Sequence, residues 1–185
     1  MRERVLKTSF QRYDGSFASG KMANNKLELE LIPKRNKALG YVIVTSIGNI
    51  AMSYKPQFVV AVPDGANWIA KGIAKQQEIP LIKLKKDPET KAISFRYKTD
   101  QRRCSKAERG VLVEDAFNEF TNTRRVLEIP ELDERIVAVL GIWDRGIHES
   151  AGGDRQELSL PTRALLTEHI PAVLPEDSEL WKFAK

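Results

Sequence analysis

Apolar and polar positions change rhythm several times along the chain, and each rhythm predicts an element. From Lys26 to Ile32, Leu27, Leu29 and Leu31 alternate with Lys26, Glu28 and Glu30. Period two predicts a half-buried strand that stops at Pro33. Leu39, Val42, Ile43, Ile47, Ile50, Ala51 and Tyr54 then recur at steps of three and four. That spacing predicts one apolar helix face from about Asn36 to Ser53. Phe58–Val62 is a continuous apolar run, the pattern of a strand buried on both faces. Pro63–Asn67 reads as a turn-rich loop, and Trp68, Ile69, Ile73 and Ala74 open a short helix. Pro80–Leu84 predicts the next strand, and a long polar stretch, Lys85–Arg109, separates it from the strand Val111–Val113. A helix over Thr121–Ile129 and a strand over Arg135–Ile142 complete the series. Strands alternating with helices predict βαβ units and a largely parallel sheet. Ligands of such sheets sit at the carboxyl ends of the strands. The loops to inspect are therefore 63–67, 85–91, 114–123 and 143–146.

Length and composition narrow the class. The 185 residues favour one domain with a buried core. No apolar run approaches the roughly 20 residues that span a bilayer, so no membrane association is expected. No apolar stretch follows Met1-Arg-Glu-Arg, and Cys104 stands alone. No secretory leader, disulfide or structural metal site is expected, which fits a reducing cytoplasm. The net charge of +5 conceals a strong asymmetry. Residues 71–109 hold twelve basic and five acidic side chains, whereas residues 110–185 hold eight and fifteen. A basic middle suits a polyanion, either nucleic acid or a small phosphate-rich molecule, or else it is a solvated, lysine-decorated loop.

The sharpest chemical signal is Gly110-Val-Leu-Val-Glu-Asp-Ala-Phe117, where an apolar strand runs into two adjacent carboxylates. Buried acids are costly unless they are paired or bound. Neighbouring side chains on an extended segment point in opposite directions, so Glu114 and Asp115 cannot share one partner. A polyhydroxylated ligand with a divalent cation satisfies both; the plainer alternative makes Asp115 the cap of the next helix. Asn118–Thr123 then opens that helix, whose free N–H groups suit a phosphate. Thr121, Asn122 and Thr123 supply further donors, or serve as ordinary caps.

Val111–Phe117 resembles the ribose-binding signature of the type I phosphoribosyltransferases. Phe58–Ala74 is similar to the first core strand, pyrophosphate loop and helix of that family. Ile79–Lys86 is similar to its second strand and catalytic loop. Within the family the likeness runs to the orotate-specific members. Ser16–Gly20 with Lys26–Leu31 resembles their N-terminal hood, Arg135–Gly146 their strand ending in Asp-Arg-Gly, and Pro161–Val173 their C-terminal stretch. The resemblance implies a doubly wound, mostly parallel five-stranded sheet flanked by helices. It implies a single domain over residues 1–185, with a hood from about 1–35 plus the C-terminal segment and a core of about 36–150. It implies transfer of ribose 5-phosphate from phosphoribosyl pyrophosphate (PRPP) to a nucleobase, orotate first, in pyrimidine nucleotide synthesis. Carried over residue by residue, Glu114 and Asp115 hold the ribose. Asn118, Thr121, Asn122 and Thr123 hold the 5′-phosphate, and Asp64, Gly65, Lys85 and Lys86 hold the pyrophosphate. Arg145, Phe17 and Lys21 hold the base. Lys85, Lys86 and Asp115 are the catalytic set, Mg²⁺ arrives with the pyrophosphate, and the chain is a homodimer. Arg145 has a second reading from the residues, as a surface ion pair with Asp144 or Glu149.

Two segments depart from the family pattern. Asn118-Glu-Phe-Thr-Asn122 contains no glycine where the family's phosphate loop is glycine-rich, and Glu119 adds a negative charge there. The loop Lys85-Lys-Asp-Pro-Glu-Thr-Lys91 has Glu89 where a lysine is usual, and no histidine follows. Both departures favour an alternative: a homologue without turnover that binds PRPP or a nucleotide as a sensor. Nucleic acid is the least expected partner, because no recognised motif accompanies the basic charge.

Overall fold

The computed structural model describes residues 1–16, 22–145 and 158–184. Helix α1 (Arg2–Ser9) leads into the antiparallel hairpin β1 (Phe10–Ser16) and β2 (Met22–Leu27). A 3-10 turn at Leu29–Leu31 and the short helix α2 (Ile32–Arg35) connect it to α3 (Lys37–Met52), β3 (Phe58–Ala61) and α4 (Asn67–Gln77). Strand β4 (Leu81–Ile82) is followed by a second hairpin, β5 (Leu84–Lys86) and β6 (Ile93–Phe95), and by helix α5 (Lys98–Lys106). Strand β7 (Gly110–Phe117), helices α6 (Thr121–Leu127) and α7 (Pro130–Asp133), and strands β8 (Ile136–Asp144) and β9 (Thr162–Thr167) complete the series. A final 3-10 turn spans Glu179–Phe183.

Among the described residues, β4, β3, β7, β8 and β9 form, in that order, one five-stranded sheet in which all neighbours are parallel. This is the doubly wound architecture expected from the sequence. Successive side chains of a strand face opposite sides, so each strand feeds two cores. On β7, Val111 and Val113 join α3 and α4, while Leu112 and Phe117 join the layer beneath α6 and α7. On β8, Ala138, Leu140 and Ile142 go to the first layer and Ile136 and Val139 to the second. Both faces are covered, which explains why these strands read as unbroken apolar runs. The strand order reverses between β3 and β7, and a crevice opens there at their carboxyl ends.

Five expectations change in detail. The strand expected over Lys26–Ile32 is displaced: β2 ends at Leu27, and Leu29 and Ile32 are buried one 3-10 turn apart. Pro33 does not stop a strand but sits in the first turn of α2, where its missing N–H costs nothing. The strand expected over Pro80–Leu84 divides, because only Leu81 and Ile82 pair with β3. Leu84 instead turns out to pair with Phe95. The polar stretch Lys85–Arg109 is not one loop but the β5–β6 hairpin followed by α5, seated on the buried pair Asp100 and Cys104. Finally, β7 runs on through Phe117, so Glu114 and Asp115 lie within the strand, not after it.

The C-terminal segment closes onto the N-terminal hairpin. Asn24 N–H donates to the Ala172 carbonyl (3.0 Å), and the Asn24 amide exchanges hydrogen bonds with the Leu174 backbone. Arg12 stacks over Trp181 at 4.4 Å, and the Phe10 ring packs 5.9 Å from the same indole. Helices α3 and α4 meet through Gly72: a Cβ there would lie 2.6 Å from Val44 Cγ1. Gly72→Ala should therefore push the two helices apart and destabilise the fold by about 1–3 kcal/mol. Urea unfolding checks this, and an unchanged midpoint would rule out the close contact.

Candidate active site

The crevice between β3 and β7 encloses about 450 Å³, a size suited to a small ligand. Its floor is the end of β7. Glu114 and Asp115 both line it yet take different partners, as their opposed directions on a strand require. The Thr123 hydroxyl, from α6, donates to Glu114 Oε2. Asp115 accepts a hydrogen bond from Ala116 N–H at 3.0 Å and leans over Gly65. A Cβ at Gly65 would collide with the Asp115 carboxylate, so only glycine admits that carboxylate at this position. Asp115 is not a helix cap: α6 begins after Phe120, whose backbone is left-handed at φ 54°. Phe120 thus takes, as a non-glycine, a conformation that glycine adopts freely.

Burial dominates the electrostatics of the pair. It pushes the Glu114 carboxyl up to about 8, against a smaller opposing effect of the Thr123 hydrogen bond. It pushes Asp115 up to about 6. Near neutral pH the empty crevice therefore holds Glu114 mostly protonated and Asp115 mostly ionised.

The walls come from three other segments. Val62, Pro63, Asp64 and Gly65 form one side, and the Pro63–Asp64 peptide is cis. Lys86, on β5, reaches across and donates to Asn122 Oδ1 at 3.0 Å. Burial, and after it the cations Arg125 and Lys91, hold the Lys86 ammonium below its ordinary range. Arg145, at the end of β8, is only 1% exposed. Its Nη2 donates to Asn25 Oδ1 at 2.6 Å and to the Pro171 carbonyl, and its Nε donates to the Ile170 carbonyl. Burial lowers it to about 10. This burial overturns the surface position expected for Arg145 in the ion-pair reading.

Of the residues expected from the sequence, Asp64, Gly65, Lys86, Glu114, Asp115, Asn118, Asn122 and Arg145 line the one crevice. Lys85 is exposed on β5, turned away from Lys86 by the alternation of the strand, and does not line it. Thr121 also lies off the crevice wall, and Thr123 is buried behind it against Glu114. Phe17 and Lys21, together with Gly146 and Glu149, lie outside the described residues. Tyr13, Lys26 and Glu30 were missed by sequence reasoning, although they form the roof of the crevice. Lys26 Nζ stands 5.7 Å from the Tyr13 ring. The only sequence signal for Lys26 and Glu30 was the polar phase of the alternation around Leu27, which also describes any solvated strand face, and Tyr13 lies outside that pattern.

No protein-family model and no curated protein matches this sequence. Solved structures do match the fold. Orotate phosphoribosyltransferase from Aeropyrum pernix superposes with a TM-score of 0.64 at 16% identity, covering 90% of this chain and 94% of that one. Leishmania donovani UMP synthase gives 0.63 at 20% identity over 90% of this chain; the match spans only 35% of that longer chain. Adenine phosphoribosyltransferase from Trypanosoma brucei gives 0.62 at 16% identity, covering 96% and 83%. The chain has the type I phosphoribosyltransferase fold.

The raised carboxyls make stability depend on pH. Their contribution is complete below the ordinary carboxylate range and is lost as pH rises through about 6 for Asp115 and about 8 for Glu114. Between pH 6 and pH 9 the empty protein should lose on the order of 2 kcal/mol at Glu114. Glu114→Gln should flatten that decline. Melting curves across the range test it, and parallel pH profiles for the two proteins would contradict it.

Proposed function

We propose that the protein transfers ribose 5-phosphate from PRPP to a nitrogenous base with release of pyrophosphate. The observation that carries this reading is the juxtaposition of Glu114 and Asp115 on β7 with the Gly65 loop and Lys86 around one crevice. The reaction breaks the bond from C1 to a pyrophosphate oxygen and forms a bond from C1 to a ring nitrogen. Little covalent work falls to the protein, so positioning and electrostatics carry the catalysis. Asp115 and Glu114 accept and donate hydrogen bonds to the ribose hydroxyls. The ionised Asp115 places negative charge beside the sugar as positive charge develops on it.

Lys86, fixed by Asn122, and the backbone around Gly65 face the departing pyrophosphate. The crevice suits Mg²⁺ carried on phosphate oxygens and water, with Asp64 as the exposed carboxylate beside it. When bound, the ion neutralises charge on the leaving group. The finer proposal is orotate as the base, with the hood residues Tyr13 and Lys26 above the ribose acids.

A second reading is favoured by one observation. The Thr123 hydroxyl is committed to Glu114, and the glycine-free turn 118–122 limits how closely its backbone can approach a 5′-phosphate. On that reading the protein binds PRPP or a nucleotide as a sensor without turnover.

Incubation with PRPP, Mg²⁺ and either orotate or adenine, with base consumption followed by ultraviolet absorbance, separates the two. Turnover is expected. It should fall at least a hundredfold in Asp115→Ala, and by about ten- to a hundredfold in Lys86→Ala, the scale of one lost charged contact. PRPP binding by calorimetry without turnover establishes the sensor; no PRPP binding at all overturns both readings.

A further inference from the structure

The basic segment of the sequence is a folded surface, and its charges are ordered. On α5, Asp100 and Cys104 point into the core. At 100° per residue, Lys98, Arg102 and Lys106 lie on the opposite side, spaced four residues apart along one stripe. All three are exposed. None has an ion-pair partner among the described residues; Arg103, off the stripe, is the helix residue that approaches Asp100, at 3.8 Å. Like charges at i and i+4 oppose helix formation, so the stripe is not explained by the stability of α5. Four residues of helix advance about 6 Å, so three cations stand in a row at a step comparable to that of an extended phosphate backbone.

The N-terminal end of the stripe carries an aromatic platform. Tyr97, immediately before α5, is 48% exposed. Lys83 Nζ and the Arg96 guanidinium carbon each stand 5.8 Å from its ring. An exposed ring with two cations close by, immediately before a row of cations in the chain, combines the two elements that bind single-stranded nucleic acid. The cations follow the backbone and the aromatic face takes a base. Apart from Tyr97 the stripe presents no large apolar side chain, which argues against insertion into a lipid surface.

We propose that the α5 stripe with Tyr97 is a binding surface for single-stranded nucleic acid, separate from the crevice. Lys98, Arg102 and Lys106 contact phosphates, and Tyr97 stacks on a base. The low expectation for nucleic acid rested on the lack of a motif. The folded chain supplies in its place an ordered array that the linear sequence, read as a loop, did not show. The proposal does not depend on the reaction assigned to the crevice.

Fluorescence anisotropy with labelled single-stranded RNA and DNA of about twelve nucleotides tests it, using the intact protein. Binding should weaken with salt at a log–log slope of about −2, the value for three phosphate contacts on a single strand. The triple substitution Lys98→Gln, Arg102→Gln, Lys106→Gln should abolish the salt-dependent component. Tyr97→Ala should weaken binding about five- to a hundredfold with little change in slope. Both variants alter exposed side chains, so circular dichroism and PRPP binding should match the unmodified protein. Absence of binding at low salt, binding unaffected by the triple substitution, duplex held as tightly as single strand, or unchanged binding by Tyr97→Ala would each overturn the proposal. So would capture by vesicles of anionic lipid at salt concentrations where nucleic acid is not held.

Discussion

The structure turns on holding two adjacent carboxylates in a nearly dry place. Charged groups withdrawn from water are costly, and the cost appears in the raised Glu114 and Asp115 carboxyls. Much around them is arranged to bear it. The extension of β7 past the core separates the two side chains, α6 brings Thr123 to one, and Gly65 makes room for the other. A site that only stabilised the fold would be better filled with apolar residues. Keeping the acids is understandable when a hydroxyl-rich ligand meets them.

Around that floor the molecule assembles a roof from distant parts of the chain. Arg145 is buried among acceptors from β2 and from the C-terminal segment, and Asn25 bonds both to it and to the Pro171 and Ala172 carbonyls. This clasp fixes the N-terminal hairpin beside the crevice, which Lys26 and Tyr13 line together with Asp115. Arg145 thus does positioning work through Asn25 as well as lining the site, and its guanidinium is pre-oriented by three neutral acceptors. The β5–β6 hairpin is fixed in a comparable way. Asp87 Oδ1 accepts from the backbone of Glu89 and Thr90 and from the Thr90 hydroxyl, which closes the turn and holds Lys86 in place.

Legibility in the sequence followed burial. Phe58–Val62, Val111–Val113 and Arg135–Ile142 announced themselves because strands covered on both faces must be apolar throughout. The α3 face was legible because Leu39, Ile43 and Ile47 repeat at the helical period. Glu114 and Asp115 stood out because adjacent carboxylates that follow an apolar run need an explanation. Lys26–Ile32 misled because Leu27, Leu29 and Leu31 keep period two in sequence, whereas the buried positions after Leu27 are Leu29 and Ile32, the three-residue step of a 3-10 turn. The 85–109 stretch hid a hairpin and a helix because its inward-facing residues, Ile93, Phe95, Asp100, Cys104 and Ala107, are sparse and unevenly spaced, too few to set a rhythm.

The sequence by itself determined the parallel α/β architecture, the crevice between the loops after β3 and β7, and the chemistry of its floor. Those properties follow from hydrophobic periodicity and from residues close together in the chain. Only the tertiary structure decided which of two neighbouring lysines enters the crevice, that Arg145 is buried among carbonyls, and that the N-terminal hairpin and the turn after it supply Tyr13, Lys26 and Glu30. It likewise decided that the basic charge forms a stripe on a helix. Each of these depends on pairings between segments far apart in sequence or on the direction in which one side chain leaves its strand. Local pattern carries no information about either.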